Sequence, residues 1–196
     1  RRVLFRSVNS YGRLDPVITR GEGVYLYDSD ENEYLDFTSG IGVSSLGYGH
    51  EKWIKATSKQ LKTLVHCSNI FHNEPSVKLA KELTEKANMS KVFFGNSGAE
   101  ANETALKLAR RVAFDDYGAE KNEIISFVNS FHGRTFFSVT VGGQESYSDG
   151  FGPKPAAITH IPYNDIATFE KTISDKTCAV ILEPTQGEGG IIKADD

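Results

Sequence analysis

From Lys91 onward, short apolar runs alternate with segments of helical periodicity. The apolar runs are KVFFG, EIISFVN, AAITHIP and CAVILEP, and helices are predicted at about 99–117, shortly after Arg134, and at about 165–173. Strands that alternate with helices indicate an α/β fold whose mostly parallel sheet is covered by helices on both faces. Ligands of such folds bind beyond the carboxyl ends of the strands. The residues after each predicted strand are therefore the first candidates for a functional site.

The first part of the chain has a different pattern. Residues 23–38 contain two β-rich runs, VYLYD and EYLDFT, around a polar turn, which predicts a β-hairpin. The turn has acids spaced as in a calcium loop, but Glu33 stands where such a loop needs glycine, so a solvated turn is favoured. Helices are predicted at about 51–65 and 73–87, the second capped by Asn73.

Composition argues against several classes of protein. The formal net charge of −4 argues against a nucleic-acid partner, since phosphate binding requires a basic face. No apolar run approaches the roughly 20 residues of a membrane helix, and no stretch reads as a signal peptide, so a soluble globular protein is predicted. Cys67 and Cys178 form no C-x-x-C pair, which argues against zinc or a disulfide, and no metal site is predicted.

Both ends of the chain suggest an incomplete protein. Residues 1–7, RRVLFRS, show no helical or strand period, and one of their back-translations resembles a sequencing adapter, so they are interpreted as a cloning scar. The last residues, 191–196, break off after a glycine-rich turn with no predicted helix or strand. We therefore expect a fragment.

Three groups of residues follow predicted strands. The first, Ser97, Gly98 and Ala99, opens the long helix, and its small residues and free backbone amides suit a bound phosphate. An ordinary helix start, with Ser97 as the cap and Glu100 as its partner in a capping box, explains the same pattern equally well.

The second group, Phe131, His132 and Arg134, offers an aromatic ring for a planar cofactor and a guanidinium for a substrate carboxylate. A core phenylalanine beside a hydrogen-bonded histidine is the alternative. The third group, Glu183 and Glu188, lies among glycines and can act on a basic group or a nearby ring, or merely shape a turn.

In their order, these motifs resemble the class III aminotransferases, in particular the bacterial acetylornithine and succinylornithine aminotransferase group. The resemblance extends from about Tyr11 to the end of the chain. It rests on RGEGVYLYD, DFTSGIGVSSLGYGH, SNIFHNEP, FFGNSGAEANETALKLAR, SFHGRT, VGGQESYSDGFGPKPA and CAVILEPTQGEGG. It implies a truncated fold-type I protein dependent on pyridoxal 5'-phosphate (PLP), with residues 8–50 in the small domain and residues 51–196 in the first part of the large domain.

The resemblance also assigns roles to individual residues. It implies that Ser97, Gly98 and Ala99 hold the cofactor phosphate. Phe131 matches the residue stacked on the cofactor ring, and His132 and Glu183 lie near it. Arg134 matches the arginine that binds the substrate α-carboxylate. Glu188 matches a glutamate that pairs with a later arginine and moves aside for a dicarboxylate.

One further position, Ile41, bears on the choice of amino donor. Ile41 stands where ornithine aminotransferases carry a tyrosine that holds the free α-amino group, and an apolar residue suits an acylated nitrogen better. Tyr11 is expected to line the same pocket. The resemblance thus favours N-acetylornithine as amino donor, with succinylornithine and N-succinyl-diaminopimelate as rivals, and 2-oxoglutarate as acceptor. The alternatives are an ornithine or other ω-aminotransferase, or a non-catalytic protein that binds PLP or another anion.

The family's Schiff-base lysine, and the Asp and Gln that contact its cofactor, match nothing in this chain. No catalytic residue is therefore predicted here, and the fragment is expected to be inactive alone. The resemblance further implies a homodimer at full length, in the cytoplasm of a bacterium or in the mitochondria of a eukaryote.

Overall fold

The computed structural model describes residue 8 and residues 10–195. The segment interpreted as a cloning scar, residues 1–7, lies outside the described residues. Internal contacts divide the chain into two units, one up to Lys78 and one from Leu79 onward. This division falls within a helix and differs from the domain boundary predicted at residue 50. The assignment of residues 8–50 to a small domain stays a prediction.

The first unit contains an antiparallel sheet of three strands and the helices that follow it. The elements are β1 Ile18–Glu22, β2 Tyr25–Asp28, β3 Glu33–Leu35, α1 Ser39–Gly42 and α2 Glu51–Thr63, with α3 Glu74–Ala87 beginning in this unit. Strands β2 and β3 pair with Tyr25 opposite Leu35, which confirms the predicted hairpin. Strand β1 was not predicted, because its sequence ITRGE has no apolar alternation, and it pairs with β2 through a bulge.

The hairpin turn is organised around the carboxylate of Asp28. This carboxylate accepts hydrogen bonds from the backbone amides of Asp30 and Asn32 and the Asn32 side chain, all at 2.9 Å, and from the Tyr34 hydroxyl at 2.7 Å. Asp28 is 4% exposed, so the solvated turn expected here is wrong for its central acid. Hydrogen bonds from the side chains of Asn32 and Tyr34 lower the pKa of Asp28 to about 2.

Helices α2 and α3 begin where local capping predicts. The Asn73 side chain accepts a hydrogen bond from the Ser76 amide at 3.0 Å, which confirms Asn73 as the cap of α3. Helix α2 starts after His50, whose ring nitrogen accepts from the Trp53 amide at 3.3 Å. It ends at Thr63, two residues before the predicted end, because Leu64 adopts an extended conformation.

The second unit is built on a parallel sheet in the order β5-β4-β6. Its elements are α4 Gly98–Tyr117, β4 Glu123–Phe127, α5 Phe136–Val141, a 3-10 helix Glu145–Tyr147, β5 Ile158–Ile161, α6 Ile166–Thr172, β6 Thr177–Val180, β7 Thr185–Gln186 and β8 Ile192–Lys193. Ile124 of the central strand lies opposite Ile158 on one side and Ala179 on the other. The predicted alternation of helices and parallel strands is confirmed.

The predicted strand KVFFG is wrong. Residues 91–95 form no strand, and no described segment pairs with them. Phe93 and Phe94 are 72% and 46% exposed. Apolar, β-rich composition favours an extended backbone, but a strand also requires a neighbour that completes its ladder of hydrogen bonds.

The core of the second unit lies between the sheet and helices α4 and α5. Its buried side chains are Leu106, Ile124, Phe137 and Val141, with Ile158, Cys178, Ala179 and Ile181 packed against them. Helix α4 also contacts α5 and β6, and α5 contacts β5. Among the described residues, no helix combines the length and apolar character needed to span a membrane.

Candidate active site

The bend before α4 combines a helix cap with free backbone amides. Ser97 has an extended backbone, and its hydroxyl accepts a hydrogen bond from the Glu100 amide at 3.2 Å. The Glu100 carboxylate accepts a hydrogen bond from the amide of Asn96 and not from that of Ser97. The predicted capping box therefore forms with the residue before the cap. Among the described residues, no acceptor is found for the amides of Gly98 and Ala99. The cap and an anion site can therefore coexist.

The segment that carries Phe131 lies directly against this bend. At Gly133, φ is +120°, and an added Cβ would lie 2.6 Å from the Ala99 Cβ, so the close approach requires glycine. The Asn102 side chain donates to the His132 carbonyl at 2.8 Å. The structure therefore brings the Ser97–Ala99 bend and the Phe131 segment together at one edge of the sheet.

Glu103 ties α4 to the start of α5. Its carboxylate accepts hydrogen bonds from the Thr135 hydroxyl at 2.6 Å and from the amides of Phe137 and Ser138 at 3.2 and 3.3 Å. A carboxylate at a helix start is favoured by the free amides there. From the sequence, Glu103 suits only the first turn of its own helix. Its contact with a helix more than 30 residues away was missed, since no local signal identifies it.

Glu183 holds the Phe131 segment from the other side. Its carboxylate accepts hydrogen bonds from the amides of Phe131 at 2.7 Å and Gly187 at 3.3 Å. The Tyr163 hydroxyl donates to the Glu183 carbonyl at 2.6 Å. Glu183 is thus both a turn residue, as the alternative interpretation held, and a neighbour of the predicted ring-stacking residue.

His132 is buried beside this carboxylate. It is 5% exposed, and its Nε2 has no hydrogen-bond partner among the described residues. The alternative of a core histidine with all its hydrogen bonds made therefore does not hold for this atom. Burial lowers the pKa of His132, against a smaller opposite effect of the Glu183 charge, so the imidazole is neutral at pH 7. Buried polar atoms without a partner are uncommon, so this nitrogen is a candidate contact for a bound group.

Phe131, Tyr147 and Glu188 form a connected group at the same edge. The rings of Phe131 and Tyr147 meet edge to face, with centroids 5.9 Å apart. The Tyr147 hydroxyl donates to Oε1 of Glu188 at 2.6 Å, and the Gln144 side chain donates to Oε2. The hydrogen bond from Tyr147 and, to a smaller extent, that from Gln144 lower the pKa of Glu188. The hydrogen bond to Glu188 also raises the pKa of Tyr147, and the positive charge of Arg134 opposes that rise.

Tyr147 and Gln144 were missed as site residues, although they lie in the GGQESY stretch of a matching motif. Their positions depend on a one-turn 3-10 helix that has no sequence period. The remaining predicted site residues, Tyr11 and Ile41, belong to the first unit, where they are 55% and 94% exposed. Their part in a common site stays a prediction.

Known proteins resemble this chain over most of its length. A model of the family described as aminotransferase class-III matches residues 7–196. An acetylornithine aminotransferase of Vibrio vulnificus is 57% identical over 94% of this chain and 46% of its own length. A succinylornithine transaminase/acetylornithine aminotransferase of Pseudomonas aeruginosa is 53% identical over 95% and 46%.

The fold is also that of solved structures. An ornithine aminotransferase from Toxoplasma gondii, whose active site holds PLP at partial occupancy, aligns with a TM-score of 0.90 at 29% identity. The alignment covers 95% of this chain and 45% of that protein. The chain thus spans about half the length of the curated relatives it matches.

Proposed function

The chain belongs to the class III aminotransferases, and from this we propose that the full-length protein transfers the terminal amino group of N-acetylornithine to 2-oxoglutarate, with PLP as cofactor. The observation that carries the proposal is the contact between Gly133 and Ala99. It supports the proposal because the segment that carries the half-buried Phe131 lies against the bend proposed to bind an anion. A phosphate and a planar ring can then be held by neighbouring parts of one site.

The residues present fit PLP. The amides of Gly98 and Ala99 and the positive end of the α4 dipole suit its phosphate. The ring of Phe131 suits its heterocycle, and the Nε2 of His132 remains available for a polar partner. When bound, PLP supplies the electron sink for amino-group transfer, while the protein supplies orientation and charge.

The substrates are held by charge in this proposal. Arg134 binds a substrate carboxylate through its planar pair of donors. Glu188, on a glycine-rich loop at the same edge, meets the second carboxylate of a dicarboxylate and must move for it. One site can then accept the amino donor first and 2-oxoglutarate second, as a ping-pong exchange requires.

N-Acetylornithine is the preferred donor in this proposal for two reasons. The relatives of Vibrio vulnificus and Pseudomonas aeruginosa are named for acetylornithine. Ile41 offers an apolar side chain, which suits an acylated nitrogen better than a free amino group. Succinylornithine and N-succinyl-diaminopimelate remain rivals, because an apolar residue suits any acylated nitrogen.

The catalytic lysine lies outside this chain in this proposal, so the chain alone transfers no amino group. The full-length protein is proposed to be a homodimer. For a bacterial protein, the proposed compartment is the cytoplasm.

The function is tested by comparing N-acetylornithine with ornithine as donors for the full-length protein, with 2-oxoglutarate as acceptor. We expect kcat/KM to favour N-acetylornithine by at least about tenfold. A preference for ornithine would overturn the interpretation of Ile41. If neither donor nor any other ω-amine reacts while PLP still binds, the protein is a non-catalytic PLP-binding protein.

The phosphate site is tested by Ser97→Ala, with Asp165→Ala as the matched control. Both side chains cap helices, since Asp165 accepts from the Thr168 amide at 2.9 Å at the start of α6. Each change should cost about 0.5–2 kcal/mol of folding free energy. Only Ser97→Ala should also weaken PLP binding, by about tenfold, because only it removes a donor to the phosphate. Equal PLP affinity in both variants would contradict the assignment of the bend.

A further inference from the structure

We propose that Asn102 and Glu103 are positioning residues, which fix the segment 131–135 relative to the bend that opens α4. The inference rests on the proposed function, in which this segment carries the ring for the cofactor and the arginine for a substrate carboxylate. Neither side chain needs to touch cofactor or substrate for this role. The two side chains and their hydrogen bonds to residues 132–138 are called the α4 clamp.

Asn102 holds the first half of the segment. Its side-chain amide donates to the His132 carbonyl at 2.8 Å. The next residue, Gly133, lies so close to α4 that an added Cβ would come within 2.6 Å of the Ala99 Cβ. Asn102 and Ala99 lie within one turn of each other at the start of that helix. Two contacts from α4 therefore fix the backbone that follows Phe131.

Glu103 holds the other end of the segment. One oxygen of its carboxylate, Oε2, accepts a hydrogen bond from the Thr135 hydroxyl at 2.6 Å. The same oxygen accepts from the amides of Phe137 and Ser138 at 3.2 and 3.3 Å. Hydrogen bonds to an ionised acceptor are about twice as strong as neutral ones. Within the described part of the chain, the Thr135 side chain caps no amide of α5, so Glu103 supplies the acceptor for the first turn of that helix.

The residue on each side of Arg134 is thus anchored to α4. Gly133 contacts the first turn of that helix, and Thr135 is bonded to Glu103. Groups that act on a substrate must be held within about 0.5 Å of their productive positions, and a misplacement of about 1 Å can slow a reaction about a hundredfold. The first turn of α4 is also the proposed phosphate site. The clamp therefore sets the distance between the phosphate site and the segment that acts beside it.

The test uses the full-length protein, with Glu103→Ala and Asn102→Ala as the main variants. Glu103 anchors the residue after Arg134, so Glu103→Ala should raise the KM for N-acetylornithine and for 2-oxoglutarate about tenfold. Its kcat and its PLP dissociation constant should change less than about threefold. Asn102 anchors the residue after Phe131, so Asn102→Ala should raise the PLP dissociation constant about tenfold. Its KM values at saturating PLP should change less than about threefold. Fluorescence titration of the apoprotein measures PLP binding.

Two further variants separate positioning from a merely structural role. Asp165→Ala is the matched control, because the Asp165 carboxylate accepts from the Thr168 hydroxyl at 2.6 Å and from the Thr168 amide at 2.9 Å at the start of α6. It loses the same kinds of bond as Glu103→Ala and should lower the melting temperature without changing KM or PLP affinity.

Glu103→Gln tests the acceptor itself. Glutamine keeps one oxygen at the same length, and a single oxygen of Glu103 accepts all three bonds. Both KM values should therefore return to within about threefold of the wild type.

Binding of glutarate, a dicarboxylate that cannot be transaminated, gives a readout independent of turnover. Calorimetry should show about tenfold weaker binding of glutarate to PLP-loaded Glu103→Ala than to the wild type. Melting temperatures show whether each variant is folded. Where an alanine variant does not fold, Glu103→Asp or Asn102→Ser, which shorten the side chain, takes its place with the same expected direction.

The inference is overturned if both alanine variants keep the wild-type constants, if Asp165→Ala shares their defects, or if Glu103→Gln is as impaired as Glu103→Ala. A wild type that binds PLP but transfers no amino group contradicts the proposed function alone, since the PLP and glutarate titrations still decide the role of the clamp. A wild type that binds no PLP contradicts both.

Discussion

Two carboxylates in this molecule have similar hydrogen-bond partners and opposite characters. Asp28 in the hairpin turn and Glu188 in the glycine-rich loop each accept a hydrogen bond from a tyrosine hydroxyl and one from an amide side chain. Their pKa values are both lowered, that of Asp28 by the Asn32 and Tyr34 side chains and that of Glu188 by Tyr147 and Gln144. Their donors alone do not distinguish them.

Burial and sequence separation distinguish the two carboxylates. Asp28 is 4% exposed, all its donors lie within six residues, and two of them are backbone amides. Glu188 is exposed and both its donors come from another loop. A carboxylate bonded to its own turn stabilises that turn. One bonded only by distant side chains can move, which makes it suitable for a functional role.

The largest expected effect comes from replacing each carboxylate in the full-length protein. Asp28→Ala leaves two backbone amides without their acceptor and should lower the free energy of unfolding by about 2–6 kcal/mol. Its kcat/KM should stay at the wild-type value. Glu188→Ala should leave the folding free energy within about 0.5 kcal/mol and lower the KM for 2-oxoglutarate about threefold, as a nearby negative charge is removed. Calorimetry measures the stability of the two variants, and steady-state kinetics measure their kcat and KM. The reverse pattern would contradict the distinction between the two carboxylates.

A smaller effect is expected from the glycines beside Glu188. A Cβ at Gly189 would lie 2.4 Å from the Asn129 carbonyl oxygen, whereas nothing lies within 4 Å of one at Gly187. Gly189→Ala should therefore destabilise the full-length protein by about 1–3 kcal/mol, and Gly187→Ala by less than about 0.5 kcal/mol. Denaturant unfolding of the two variants tests whether the loop is anchored on one side only. Equal losses of unfolding free energy in the two variants would contradict an anchor at Gly189 alone.

The smallest effect is a local dependence of the hairpin on pH. The pKa of Asp28 is about 2 in the folded chain and 3.8 ordinarily. Its charged form therefore stabilises the turn fully above about pH 4, and this stabilisation is lost as the pH falls through about 2. Hydrogen exchange of residues 25–35 should show protection falling in this window. In Asp28→Asn the protection should be lower and independent of pH there, and a wild-type profile without this change would refute the role of Asp28.

Features that depend on local bonds were predicted from the sequence. The hairpin, the Asn73 and Ser97 caps and the bounds of α4 involve partners within a few residues, so their residue types identify them. The parallel sheet followed from the alternation of runs, which reflects the same local preferences. The family resemblance then pointed to Phe131 and the bend as parts of one site.

The prediction that was wrong and the contacts that were missed depend on residues far apart in the chain. KVFFG has the composition of a strand but no neighbour among the described segments. Glu103, Gln144 and Tyr147 have ordinary local surroundings, and their contacts with α5 and Glu188 cross 32 to 44 residues. No local pattern encodes such contacts.

The sequence by itself determined the secondary structure that rests on short-range bonds, the family, and the residue types offered to a cofactor. Only the tertiary structure decided that Gly133 contacts Ala99, that the His132 Nε2 is buried without a described partner, and that Glu188 bonds to Tyr147. The physical reason is that backbone propensity acts over one or two turns, whereas contacts between loops depend on how the whole sheet and its helices pack.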